Sequence, residues 1–251
     1  MGGSGAIFFC GCNLRCIFCQ NCDISTVQNI IHGEKVDKYS LSEIMLKLQQ
    51  NGAENINFVT PTPHIILIAE SIAIAKTNGL KIPVAYNTNS YVTVDSLKLL
   101  DGLIDIYIPD LKYVTPTIAK NISGAENYPQ YAKKAIEEMI HQCGTLALNE
   151  NNIAKKGVII RHLVLPGNID ETRRVLTYIK ENYPQDINVS LMAQYFPAHK
   201  ALEIMPFNRP LLTREYNRAV DYAISLNFDN LMIQKLNSSD SKYVPEWGKF
   251  I

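Results

Sequence analysis

The sequence predicts an α/β fold, a partial (β/α)6 TIM-like barrel of parallel strands, and three observations carry that expectation. Short apolar runs alternate with longer helical patterns along the chain, the signature of right-handed crossover units and a parallel sheet. The short runs are largely apolar, which suits strands covered on both faces. About six units are visible, too few for a complete eight-fold barrel. The G-x-G-x-x-G turn of a doubly wound nucleotide-binding sheet is missing after the first run, and a cysteine-rich loop stands there instead.

The elements follow in order. Residues 6–9 (AIFF) read as the first strand. Residues 39–52 (YSLSEIMLKLQQNG) read as a helix with Ser40 as N-cap, Glu43 as its capping-box partner and Gly52 as the stop. NINFV (55–59) is the second strand, 62–78 is mostly helical and closed by Gly79, and PVAYN (83–87) is the third strand. VDSLKLL (94–100) is a helix, IDIYI (104–108) the fourth strand, and 128–144 a helix ending at Gly144. GVIIRHLVL (157–165) is the fifth strand, 170–183 a helix, and INVSLM (187–192) the sixth strand. A late helix over 213–227 and a short strand at NLMIQ (230–234) complete the pattern. In such a fold, ligands sit at the C-terminal ends of the strands.

Composition narrows the function classes. The 251 residues are 47% hydrophobic, enough to bury a core without disulfide staples. Lys plus Arg and Asp plus Glu are both 24, so no basic excess suggests a nucleic-acid partner. The start, MGGSGAIFF, lacks a basic region followed by a long apolar stretch, and the longest apolar run, HIILIAESIAIA, is only 12 residues. A cytoplasmic protein with no membrane or nucleic-acid partner is expected. In that setting, clustered cysteines bind metal or do redox chemistry.

Five of the six cysteines lie within residues 10–22, and Cys12, Cys16 and Cys19 form C-x3-C-x2-C. Thiolates select zinc or iron–sulfur clusters. With Cys22 the run extends to four ligands, and a zinc loop or an electron-transfer cluster remains open on spacing alone. Three thiolates on a cubane would instead leave one iron open to a small chelating molecule.

The three-cysteine spacing after a first strand, with the aromatic Phe18 before the third cysteine, resembles the radical S-adenosylmethionine (SAM) superfamily. GCNLRCIFCQN is similar to the loop of pyruvate formate-lyase activating enzymes. NFVTPTPH, DIYIPDLKY, RHLVLPGN and LMAQYFP resemble an activating-enzyme-like branch. The likeness runs from Gly5 to about Asn227, so residues 1–251 are expected to form one radical SAM domain with its cluster loop at 10–22.

The resemblance implies cofactors, partners and roles. Cys12, Cys16 and Cys19 would hold a [4Fe–4S] cluster whose open iron binds SAM. Reductive cleavage would then give methionine and a 5′-deoxyadenosyl radical that abstracts hydrogen. Gln20 and Asn21 lie beside the cluster. At the second strand end, Thr60 and Thr62 stand where the superfamily has a Gly-Gly-Glu-like segment; an N-cap is the plainer role for either. At the third, Thr88 and Asn89 match an Asp-Thr-Asn-Gly segment, with Asn87 replacing the Asp of a monovalent-cation site. Asp110 and Lys112 match an Asp-Leu-Lys segment and imply ribose and carboxylate contacts. Arg161 sits among apolar neighbours and needs an acidic partner, and the resemblance implies the methionine carboxylate. Its neighbour His162 reads as a satisfied core histidine. Gln194 and Tyr195 fall where the family contacts adenine or ribose. The implied reaction is hydrogen abstraction from a glycine of a partner glycyl-radical enzyme, with a flavodoxin- or ferredoxin-type electron donor. A small-molecule substrate is the main rival. Two long stretches, 22–39 and 196–212, would border the barrel mouth, with Asp23, His32 and Glu34 in the first. In the second, Asn208 and Arg209 are expected to face the partner.

Overall fold

A computed structural model of the chain describes residues 2–26 and 33–236, so His32 lies outside the described residues. From the N-terminus come β1 (Ser4–Phe8), α1 (Cys22–Ser25), α2 (Lys38–Gln50), β2 (Asn55–Val59), α3 (Ile65–Thr77), β3 (Val84–Thr88), α4 (Val94–Lys98) and β4 (Ile106–Pro109). There follow α5 (Pro116–Ser123), α6 (Tyr128–Cys143), β5 (Ala147–Leu148), β6 (Ala154–Leu163), α7 (Ile169–Asn182), β7 (Asn188–Met192), α8 (Thr213–Ser225) and β8 (Asn230–Ile233). Short 3₁₀ turns occupy Thr62–His64 and His199–Glu203.

Seven strands run parallel in the order β1-β2-β3-β4-β6-β7-β8, with β5 folded back antiparallel on β6. This is the expected partial barrel. Among the described residues β1 pairs only with β2 and β8 only with β7, so the arc stays open.

The strands alternate sharply between faces, as a period of two requires. Ile56, Phe58, Val84, Tyr86, Tyr107, Val158, Ile160, Val189 and Leu191 are fully buried beneath the helices. The opposite, concave face carries Asn57, Asn87, Asp110, Arg161 and Ser190. Asn57 sits one layer below Asn87, and Arg161 is level with Ser190 and bridged to Asp110. Ala85, Ile106, Ile108 and Ile159 share that concave face, so the inner surface is mixed, with Asn87, Asp110 and Arg161 grouped toward the strand ends.

Several local expectations are corrected. Helix α2 starts one turn early, capped by Asp37, whose Oδ1 accepts from the amides of Tyr39 (3.0 Å) and Ser40 (2.8 Å). Ser40 is not the cap; its hydroxyl donates to the same oxygen. Neither Thr60 nor Thr62 caps a helix: Pro61 precedes the 3₁₀ turn, His64 precedes α3, and no side chain caps either. Three elements went unseen in the sequence: the one-turn helix α1 inside the stretch 22–39, helix α5 and strand β5. Helix α5 has Pro116 in its first turn and ends at Gly124, which has a left-handed φ of 71°. Strand β5 forms a hairpin with an extension of β6, and Gly157 marks where β6 leaves that hairpin for the barrel. Its φ is 123°, and a Cβ there would lie 2.4 Å from the Thr145 carbonyl oxygen.

Candidate active site

The cysteine loop connects β1 to α1 and is tied by its backbone to distant elements. The Arg15 amide donates to Ser123 O (3.0 Å) and the Ile17 amide to Ile122 O (2.9 Å), both at the C-terminal end of α5. The Ala201 amide donates to Ile17 O (2.8 Å), and the Gly11 amide to Ile24 O (2.8 Å). Leu14 and Phe18 sink into the core, so the backbone between them cannot drift. Phe18 meets Tyr195 edge-on at 6.0 Å.

The cluster thiols have weak polar partners, and Cys12 Sγ also accepts from the Leu14 amide at 3.5 Å. Cys16 Sγ lies 3.0 Å from Ser123 Oγ, Cys19 Sγ lies 3.2 Å from Ser25 Oγ, and Asn89 Nδ2 donates to Cys12 Sγ at 3.4 Å. Burial pushes the Cys16 thiol up to about 11, and Lys112 pulls against it. Burial also raises Cys12, with the neighbouring Cys19 adding to the effect. Cys12 and Cys16 thus both feel Lys112 and the neighbouring Cys19. Cys22 is different: it opens α1 and contacts the carboxylate of its neighbour Asp23.

Across the mouth lies a charged cluster. Asp110 Oδ1 accepts from Arg161 Nε (2.9 Å) and lies 2.7 Å from Arg161 Nη2, while Asp110 Oδ2 accepts from Lys112 Nζ (2.7 Å). Arg161 Nη2 also donates to Asn87 Oδ1 at 2.6 Å. Burial alone would raise the Asp110 pKa, but Arg161 and Lys112 outweigh it and hold the carboxyl below its usual value. Burial would likewise depress Lys112, and Asp110 and Cys16 outweigh that, keeping it protonated. Arg161 thus has an acidic partner, Asp110, within the protein itself. The guanidinium also joins Asn87 to Asp110, where related enzymes were expected to hold a cation.

The remaining residues divide. Thr62 and Thr88 hydroxyls bond each other at 2.9 Å. Asn89 also donates to Asn13 Oδ1 (2.9 Å), tying the β3 end to the cysteine loop. Thr60 ends β2 with φ 58°, a strained value for a β-branched residue. Asn21 acts through its backbone carbonyl, which accepts from Ser25 N (2.9 Å). Gln20 Nε2 donates to Gln194 O (2.9 Å), bringing the β7 end against the loop. Tyr195 is a correction: its ring is fully buried and its hydroxyl is used by the Phe207 carbonyl, which makes it core rather than a ligand contact. Arg209 has both terminal nitrogens 2.8 Å from Glu215, where it braces the start of α8. Ser25 and Ser123 were missed, Ser123 because it sits on the overlooked α5.

His162 is a buried core residue as expected, with Nδ1 on Leu111 O (2.8 Å) and Nε2 on Thr172 Oγ1 (3.0 Å). Burial lowers its pKa, so the folded state holds it neutral where the unfolded chain would protonate. The unfolded state then binds more protons below pH ~6.5, and stability falls as pH drops through that value. His162→Gln is expected to flatten this slope between pH 7 and 5 in urea titrations. An unchanged slope would assign it to other groups.

A profile of the radical SAM superfamily matches residues 6–179, well over half of the chain. The chain belongs to the radical SAM superfamily. Its cofactors are a [4Fe–4S] cluster and SAM. Protein MJ0674 of Methanocaldococcus jannaschii is 34% identical over 235 residues, which cover 90% of this chain and 63% of that protein. The solved structure of anSMEcpe with bound AdoMet superposes at a TM-score of 0.61 with 16% identity, covering 92% of this chain and 64% of that one. SuiB of Streptococcus suis bound to S-adenosylmethionine gives 0.60 with 15% identity, over 99% and 51%. At these identities the two structures share the fold with this radical SAM chain. The chain spans less than two thirds of the length of each of these three proteins.

The thiol loop fits the superfamily's cluster by its donor set. Three soft ligands sit on one pinned loop, with Lys112 close enough to favour the anionic forms of Cys12 and Cys16. Among the described residues, no three His, Cys, Asp or Glu side chains converge tightly enough for a single ion. Thiolates on three different irons of a cluster need not converge on one point, whereas those around one tetrahedral zinc must.

Proposed function

We propose that this radical SAM chain is an oxidoreductase of the activating-enzyme type, which removes hydrogen from a glycine of a partner glycyl-radical enzyme. Cys12, Cys16 and Cys19 hold the cluster. Held by these thiolates and reduced, the cluster would supply the one-electron chemistry that cleaves SAM and starts hydrogen abstraction. Arg161 and Lys112 present positive charge at the strand ends, where a methionine carboxylate is attracted, and Asp110 fixes both cations in place. Asn89 links the β3 end to the Cys12 thiol, so cofactor contacts on β3 and the cluster loop move together. A one-electron donor of flavodoxin or ferredoxin type completes the cycle.

The observation that supports a macromolecular substrate is the open arc between β1 and β8, with the thiol loop at its strand-end mouth. One feature favours a small polar substrate instead. Asn57, on the concave face, keeps a buried Oδ1 without a hydrogen-bond partner, a vacancy that a donor deep in the barrel would fill.

The two readings separate in one assay. Reduced, anaerobically reconstituted protein is expected to make 5′-deoxyadenosine slowly alone and to leave a glycyl radical, seen by electron paramagnetic resonance, on an added partner enzyme. Efficient turnover of a free metabolite with no protein partner would sink the activating-enzyme reading.

A further inference from the structure

A second cavity lies on the outer face of the helical layer, away from the barrel mouth. It is an open groove of about 400 Å³ between the turn into α5 and the flanks of α6, α7 and α8. The volume is within the range of small-ligand pockets, roughly 300–1,000 Å³. Its charged lining consists of Lys133 from α6 and Arg173, Arg174 and Glu181 from α7, three cations against one carboxylate.

The cations are poorly neutralised. Lys133 makes no ion pair among the described residues, and its ammonium sits 3.9 Å above the Tyr178 ring. The Arg173 guanidinium lies 5.4 Å over the Tyr222 ring, and its only carboxylate contact is a 3.7 Å approach to the exposed Asp170. Its Nε is buried with no hydrogen-bond acceptor. Arg174 has a single 3.3 Å contact with Glu171, whose carboxylate already accepts from the Val114 and Thr115 amides at 2.7 and 2.8 Å. Two rings hold two cations in position by cation–π attraction, leaving their N–H groups for a ligand. A buried donor without an acceptor is uncommon enough to need a reason.

We infer that this groove binds a small molecule through a phosphate group, free or esterified. Guanidinium forks match phosphate oxygens in geometry and charge. A phosphate would accept from the N–H groups that Lys133, Arg173 and Arg174 present along the groove. A monocarboxylate has two oxygens, too few to engage all three cations at once. Nothing in this inference depends on the substrate of the barrel.

Isothermal titration of the reconstituted protein, with SAM saturating and ionic strength fixed, tests it with pyrophosphate, inorganic phosphate and glycerol phosphate as probes. Saturable binding is expected, weakened tenfold or more by Lys133→Gln or Arg173→Gln. Glu181→Gln removes the one opposing carboxylate and is expected to tighten binding by roughly threefold, in keeping with a surface charge pair; a misfolded variant would not do so. Tighter binding of glycerol phosphate than of inorganic phosphate identifies an esterified ligand, and the reverse a free anion. No saturable binding of any probe, or binding indifferent to all three substitutions, overturns the proposal.

Discussion

Cys12→Ser, Cys16→Ser and Cys19→Ser are each expected to abolish cluster assembly, while Cys10→Ser and Cys22→Ser leave iron and sulfide content unchanged. A hydroxyl does not replace a soft thiolate on iron. The three thiols sit on the tethered part of the loop and interact with one another. Cys22 lies beyond it at the head of α1, beside a carboxylate that disfavours its thiolate. Cys10 lies before Gly11, with its carbonyl 2.8 Å from His64 Nε2. Iron and sulfide analysis with electron paramagnetic resonance of each reconstituted variant reads this directly. Cluster loss in Cys22→Ser would restore the four-cysteine reading.

Asp110→Asn is expected to destabilise the fold by about 3–5 kcal/mol, the usual cost of removing one partner from a buried ion pair. Asp110 alone faces both Arg161 and Lys112, and an amide cannot balance two cations. Its side chain is 13% exposed, so water compensates little. The pH dependence has a definite sign. The folded pKa is depressed, so the stabilisation is complete above the unfolded value of ~3.9 and is lost as pH falls through the lower folded value. Wild type should therefore lose stability on acidification below about pH 4 in a way the variant does not. Urea denaturation at pH 7 and pH 3.5 measures both effects. Equal stability of the two proteins at pH 7 would show that Arg161 and Lys112 find other partners.

The strands were legible as short runs rich in apolar residues between helical patterns, and the cysteine loop by its three-thiol spacing together with its resemblance to the superfamily. Helix α5 carried its own signals in Pro116 and Gly124, but it is short and follows β4 so closely that the strand's exit loop absorbed it. Helix α2 started early because Asp37 accepts from the Tyr39 and Ser40 amides, which places Ser40 inside the first turn instead of at the cap. Arg161 illustrates a deeper limit. Burial of an arginine among apolar neighbours correctly demands an acidic partner, but sequence cannot say that Asp110, 51 positions away, is that partner. Tyr195 and Arg209 looked like site residues from their place at a strand end and in a loop. Each has a partner within the protein, one the Phe207 carbonyl and the other Glu215.

The backbone tethers of the cysteine loop bear on what happens when air reaches the protein. Zinc-finger loops lose their shape with their metal, because the metal is what folds them. Here Arg15, Ile17 and Gly11 are held by carbonyls and amides of α5, the turn at Ala201 and α1, none of which depends on iron. Oxidative stripping of the cluster would therefore leave an empty cradle in an intact barrel, and repair becomes a matter of ligand exchange on a waiting surface rather than of refolding the chain.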